Sequence, residues 1–78
     1  MRFFAYRLIV SMAEYVSNNV NLFRTKTGMT QEQLAAETGV SRQTIIAIEK
    51  GNYSPSVMLA LKIAHAFKTP VEKIFYIS

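Results

Sequence analysis

The stretch TQEQLAAETGVSRQTIIAIEKG, residues Thr30–Gly51, decides the fold. Thr30 is placed to cap a helix N-terminus, with Gln33 three residues on to close a capping box. Leu34, Ala35 and Thr38 then share one helical face. Gly39 stands where this helix must stop, because a left-handed backbone costs glycine least. Val40 is an apolar plug for the turn and Ser41 caps a second helix, in which Ile45 and Ile48 point the same way. Ala35 is small where two helices joined by so short a turn must cross closely. The spacing is that of a helix-turn-helix, whose second helix enters the major groove of DNA.

On a wheel of about 100° per residue, Ile45 and Ile48 define the buried side of the second helix. The opposite side carries Arg42, Gln43, Ile46, Ala47 and Lys50. Arg and Gln in the first exposed turn suit base-edge reading, since Arg pairs bidentately with guanine and Gln with adenine. The bland alternative is an ordinary αα-hairpin with a solvated outer face. A capped helix, a glycine, an apolar plug and a second capped helix in one register favour the helix-turn-helix.

At these residues the chain resembles the Cro/CI-type, lambda-repressor-like helix-turn-helix regulators of the XRE family, in their small stand-alone form. The resembling text is MTQEQLAAETGVSRQTI, then AIEKGNYSPS, then LALKIAHAFKTPVEKIF. It covers about Asn18 to Phe75. The resemblance implies a five-helix domain that binds double-stranded operator DNA as a symmetric dimer. It also implies that Gln31, Arg42, Gln43, Thr44 and Ala47 lie near bases and phosphates. Ile46 departs from the family's usual polar residue there, so contact is to a thymine methyl or is absent. The leader Met1–Ser17 has no counterpart in the family pattern.

The chain has 78 residues, enough for one small domain, and half of them are apolar, which argues against disorder. Nine Lys and Arg against five acids leave a net charge of +4. A basic balance favours polyanion partners, nucleic acid first and anionic membrane second. Without cysteine there is no disulfide, thiolate metal site or thiol nucleophile, which fits a reducing cytoplasm. His65 is the only histidine. It cannot assemble a zinc site alone, and no nucleophile–base–acid set is visible. The expectation is a protein that is not an enzyme and has no metal or cofactor, with His65 on the surface.

The leader MRFFAYRLIVSMAEYVS, residues 1–17, is apolar but interrupted by Arg7, so it is too short for a signal sequence or a membrane span. As a strand, Phe4, Tyr6, Leu8, Val10 and Met12 form one apolar face. As a helix, Arg7, Ser11 and Glu14 form a narrow polar stripe. A third reading takes Met12 as the natural start. The expected organisation is an N-terminal extension, 1–17, packed on the domain or on a dimer partner, followed by the DNA-binding domain, 18–78.

Asn18 or Asn19 is placed to cap a first helix running to about Lys26 and stopping at Gly28. Val20, Phe23 and Leu22 are its core candidates. Arg24 and Lys26 suit the helix C-terminus, with solvation or phosphate contact as their roles. After the recognition helix, Gly51-Asn52-Tyr53-Ser54-Pro55 is a turn whose backbone amides, with Lys50 and Asn52, are candidates to hold a phosphate. Tyr53 is expected to pack its ring with the hydroxyl wet. Ser56 caps a fourth helix, Val57–Phe67, with Leu59, Ala60, Ile63, Ala64 and Phe67 inward. Thr69-Pro70-Val71-Glu72 reads as a second capping box opening a fifth helix to about Ile74. Phe75-Tyr76-Ile77-Ser78 reads as a strand in need of a partner, and Tyr15-Val16-Ser17 is the nearest candidate.

The sequence therefore predicts a mainly α fold, a five-helix domain with a small terminal antiparallel β element. Its function is sequence-specific binding of double-stranded DNA as a homodimer that represses transcription. The DNA-binding candidates are Gln31, Ser41, Arg42, Gln43, Thr44, Ile46, Ala47, Lys50 and Asn52. The apolar residues at the two chain ends, Phe3 to Val10 and Phe75 to Ile77, are expected to form the dimer contact. The Met58, Lys62 and His65 side of the fourth helix is the alternative. Two rival functions are an antitoxin that neutralises a protein partner and a peripheral membrane protein anchored by the leader.

Overall fold

The computed structural model describes residues 14–78. The strand, helix and packing expectations for residues 1–13 lie outside the described residues. From Val16 onward the order is β1 (Val16–Asn18), α1 (Val20–Lys26), α2 (Gln31–Thr38), α3 (Arg42–Glu49) and α4 (Val57–Phe67). A single 3-10 turn (Val71–Lys73) and β2 (Phe75–Ile77) follow.

Local chemistry sets these boundaries. Thr30 Oγ1 accepts from the Gln33 N–H at 3.0 Å, and the Gln33 side chain accepts from the Thr30 N–H at 2.8 Å, so both halves of the α2 capping box form. Gly39 ends α2 in the left-handed region at φ 76°. A β-carbon there would meet nothing within 4 Å, so backbone conformation rather than space calls for glycine. Ser41 and Ser56 cap α3 and α4 through the N–H groups of Thr44 and Leu59. At α1 the nominal cap Asn19 makes no side-chain cap bond, and Asn18 Oδ1 instead accepts from Val20 N–H at 3.0 Å.

The expected fifth helix is corrected to one 3-10 turn. The second capping box does not form, because Thr69 Oγ1 donates back to the Phe67 carbonyl at 2.9 Å. Pro70 stands at the turn's start with ψ 140° and no side-chain cap. Three residues later the chain turns extended to meet β1, leaving no length for a helix.

Every helix supplies the core. Val20, Leu34, Ile45, Ile48, Ile63 and Ile74 are fully buried, and Ala35, Leu59, Ala64 and Phe67 nearly so. Burying each large aliphatic side chain favours folding by roughly 1.5–3 kcal/mol. Phe23 stacks on Phe67 with ring centres 6.0 Å apart, which ties α1 to α4. Leu22 is exposed and is removed from the expected core. Ala60 is only half-buried.

The segment just before α1 and the C-terminal strand meet as expected. β1 and β2 pair antiparallel, with Val16 opposite Ile77, Ser17 opposite Tyr76 and Asn18 opposite Phe75. Asn19 N–H donates to the Ile74 carbonyl and Ser78 N–H to the Tyr15 carbonyl, both at 2.8 Å, which extends the ladder by one pair at each end.

Candidate nucleic-acid interface

The helix phase read from the sequence is the phase in the structure. Ile45 and Ile48 have no exposed surface, which turns the other side of α3 outward. Arg42, Gln43 and Lys50 are exposed along that side, with Ser41 at its N-terminus. Thr44, Ile46 and Ala47 are half-buried, so they are accessible but flanked by neighbours. Ser41 Oγ lies 3.1 Å from Thr44 Oγ1, which couples the cap hydroxyl to one on the first turn. A helix fixed inward by two isoleucines and presenting Arg and Gln outward meets the geometric needs of major-groove reading.

A cluster around Glu49, not anticipated from the sequence, seats this helix. Arg24 on α1 donates from Nε to Glu49 Oε2 at 2.6 Å and from Nη1 to the Met29 carbonyl at 2.8 Å. Gln31 Nε2 donates to Glu49 Oε1 at 3.0 Å, and Asn21 Nδ2 to the same oxygen at 3.2 Å. The ion-pair side chains are 12% and 7% exposed. Burial pushes the Glu49 carboxyl pKa up. The hydrogen bonds from Arg24, Gln31 and Asn21, together with the charge of Arg24, outweigh it and hold the group below the ordinary carboxylate range. Arg24 is thereby corrected from a solvated or phosphate-contacting residue to a structural ion-pair partner. Lys26 lies 5.8 Å from the centre of the Phe23 ring. Gln31 is held beside α3, with the second N–H of its amide not used in the bond to Glu49.

The end of α3 corrects another expectation. Lys50 N–H donates to the Ile46 carbonyl, Gly51 N–H to Ile48 and Asn52 N–H to Ala47, at 3.0, 2.9 and 2.9 Å. This is a Schellman closure, with Gly51 left-handed at φ 79°. Those amides are already used and cannot cradle a phosphate. The side chains of Lys50 and Asn52 are exposed, and the bonds that close the helix do not use the Tyr53 and Ser54 amides of the same turn. Tyr53 is exposed and borders a groove with Val40, Met58 and Leu59, rather than packing in the core. His65 is exposed, as the sequence suggested.

The outward face therefore gathers Arg42, Gln43, Ile46, Ala47 and Lys50 from one helix. Gln31 reaches the same helix through Glu49, and Ser41 and Asn52 flank its two ends. Glu49 was missed because no local pattern marks it. Its partners lie 18, 25 and 28 residues away. An acid directly after the buried Ile48 was the only hint.

Fold and outward face together define a helix-turn-helix protein of the DNA-binding kind. Residues 21–74 match the helix-turn-helix family, and the chain belongs to it as an XRE-type, DNA-binding transcriptional regulator. It is 53% identical over 60 residues to an uncharacterised HTH-type transcriptional regulator of Methanocaldococcus jannaschii, covering 77% of this chain and 91% of that one. An uncharacterised HTH-type regulator of Bacillus subtilis is 47% identical over 62 residues, covering 80% and 94%. The crystal structure of a restriction-modification controller protein from Aeromonas hydrophila matches with a TM-score of 0.66 at 30% identity, covering 69% of this chain and 82% of that one.

Proposed function

We propose that this regulator binds a near-palindromic operator as a homodimer and represses transcription by blocking polymerase. Arg42 and Gln43 read base edges, and Ile46 and Ala47 meet the apolar parts of the groove, including a thymine methyl. Gln31, Ser41, Thr44, Lys50 and Asn52 contact the backbone or sugar edges and set the register. No small-molecule cofactor is needed for this chemistry, and the cytoplasm is the expected compartment. The observation that carries the reading is the outward face of α3, phased by Ile45 and Ile48 and led by exposed Arg42 and Gln43.

Selection of bound duplexes from a random library tests it. The expected product is a two-fold symmetric site with half-sites about one helical turn apart. Arg42→Ala and Gln43→Ala should each weaken binding by roughly 1–3 kcal/mol at one base pair and relax the preference there. Unchanged sequence preference in both variants refutes the base-reading roles.

A further inference from the structure

Strand β1 leaves part of its backbone unpaired. The Asn19–Ile74 and Tyr15–Ser78 bonds fix the phase of the β1–β2 ladder. In an antiparallel pair, hydrogen-bonded and non-bonded positions alternate. Ser17 therefore bonds Tyr76, while Val16 and Asn18 turn their N–H and C=O groups away from β2. No described residue pairs with these outward groups, and β2 is the single neighbour of β1 among the described residues. The Asn18 side chain is committed elsewhere, to Val20 N–H and the Ile48 carbonyl. Natural edges are commonly blocked by charge or proline, and Val16-Ser17-Asn18 has neither.

This edge lies inside a cleft. Tyr15 to Asn18 form one wall, the end of α3 at Glu49, Lys50 and Gly51 forms the other, and Tyr76 joins them from β2. Its volume of about 370 Å³ falls within the roughly 300–1,000 Å³ range of ligand clefts. The β1 wall runs about 10 Å at roughly 3.3 Å per residue, the length of a short extended peptide. Tyr15 is 64% exposed and Tyr76 43% exposed, so both rings are available to apolar side chains. The charge of Glu49 is balanced by Arg24. The exposed Lys50 ammonium is then the charge that the cleft offers.

We propose that this cleft binds an extended, acidic peptide segment of a partner protein, which adds to β1 as a third strand and sets an acidic side chain against Lys50. The proposal rests on the operator-binding reading and gives that reading a regulator. Val16 and Asn18 present N–H and C=O groups with a two-residue period. A peptide strand repeats its own groups with the same period and a small ligand does not, which favours the peptide. Main-chain bonds to the edge supply affinity, and the cleft walls supply the choice of side chain. Lys50 is also assigned to the DNA backbone, so peptide and operator compete for one ammonium. Each lowers the affinity for the other by the same factor. The partner therefore releases the operator.

Fluorescence anisotropy on the full chain, with a labelled and end-capped peptide of three Val-Glu repeats, tests the site. This peptide should bind at least about tenfold more tightly than its Val-Lys counterpart, and Lys50→Glu should cut that ratio at least about threefold. The Val-Glu peptide with every amide N-methylated should not bind. Val16→Pro removes an outward N–H that β2 does not use, at an edge position where proline is tolerated. It should weaken peptide binding at least about tenfold while melting temperature and operator affinity hold. Excess Val-Glu peptide should displace labelled operator from the parent chain but not from Val16→Pro. Equal binding of the acidic and basic peptides, or full binding of the N-methylated one, overturns the site. Displacement of the peptide by free glutamate at equal concentration would assign the cleft to small anions and overturn the strand reading. Peptide that binds yet leaves operator affinity unchanged overturns the competition. A parent chain that selects no duplex from the random library overturns the operator reading instead, and the peptide titrations still decide the strand site.

Discussion

At the scale of single residues, Glu49 does the most for the site without facing DNA. It accepts from Arg24, Gln31 and Asn21, and so ties α1 and α2 to the last turn of α3. The carboxyl pKa is lowered in the folded chain. Its contribution to stability is therefore full above the unfolded-state pKa of about 4.3 and is lost as pH falls through the lower folded value. Glu49→Gln should lower stability at neutral pH, because the Arg24 charge loses its partner, and should flatten the decline in acid. Urea midpoints at pH 7 and in the acid range, for parent and variant, check this. Parallel pH curves would show that Glu49 is not the group responsible. Removing one member of a buried ion pair typically costs about 3–5 kcal/mol, and the partial exposure of Arg24 places this pair near the low end.

At the scale of elements, the helix-turn-helix was legible because each boundary has a local cause. Thr30, Gln33, Gly39, Ser41 and the Ile45–Ile48 pair are all read within one or two turns of the chain, and each sits as read. The fifth helix failed for a non-local reason. Thr69-Pro70-Val71-Glu72 has cap-like chemistry, but β2 must reach β1, so the Thr69 hydroxyl turns back to Phe67. Two amides of the turn after α3, those of Gly51 and Asn52, are taken up by the helix end, because Gly51 closes the helix on its own carbonyls. Phase on α3 can be tested directly. Ile48→Ala should cost roughly 2–5 kcal/mol of stability, because a fully buried side chain is removed from a closed core. A variant that unfolds at the parent's urea midpoint yet no longer binds DNA would mean that Ile48 faces outward.

At the scale of the whole molecule, the net charge of +4 and the exposed Arg42 and Lys50 on the outward side of α3 predict that the proposed operator binding is electrostatic in large part. Log affinity should fall linearly with log salt, by about 0.9 per phosphate neutralised. Titrations at several salt concentrations measure the slope, and a flat response contradicts phosphate-driven binding. The antiparallel joining of the chain ends was legible from their apolar, β-rich composition. The dual role of Asn18 was not, because one of its two bonds spans 30 residues.

That role has a consequence for the DNA. Asn18 stands opposite Phe75 in the sheet, accepts from Val20 N–H, and donates from Nδ2 to the Ile48 carbonyl at 2.8 Å. One amide therefore links the sheet directly to the last turns of α3. Under the proposed homodimer, two reading heads held in this way keep a fixed pitch, like the teeth of a rigid comb. Such a comb cannot follow an operator whose halves have been moved apart. One base pair inserted at the dyad rotates the half-sites by about 35° relative to each other, given 10–10.5 base pairs per turn. Affinity for that duplex should drop to the level of a single half-site. Retained full affinity would reveal a joint between the two heads that Asn18 does not lock.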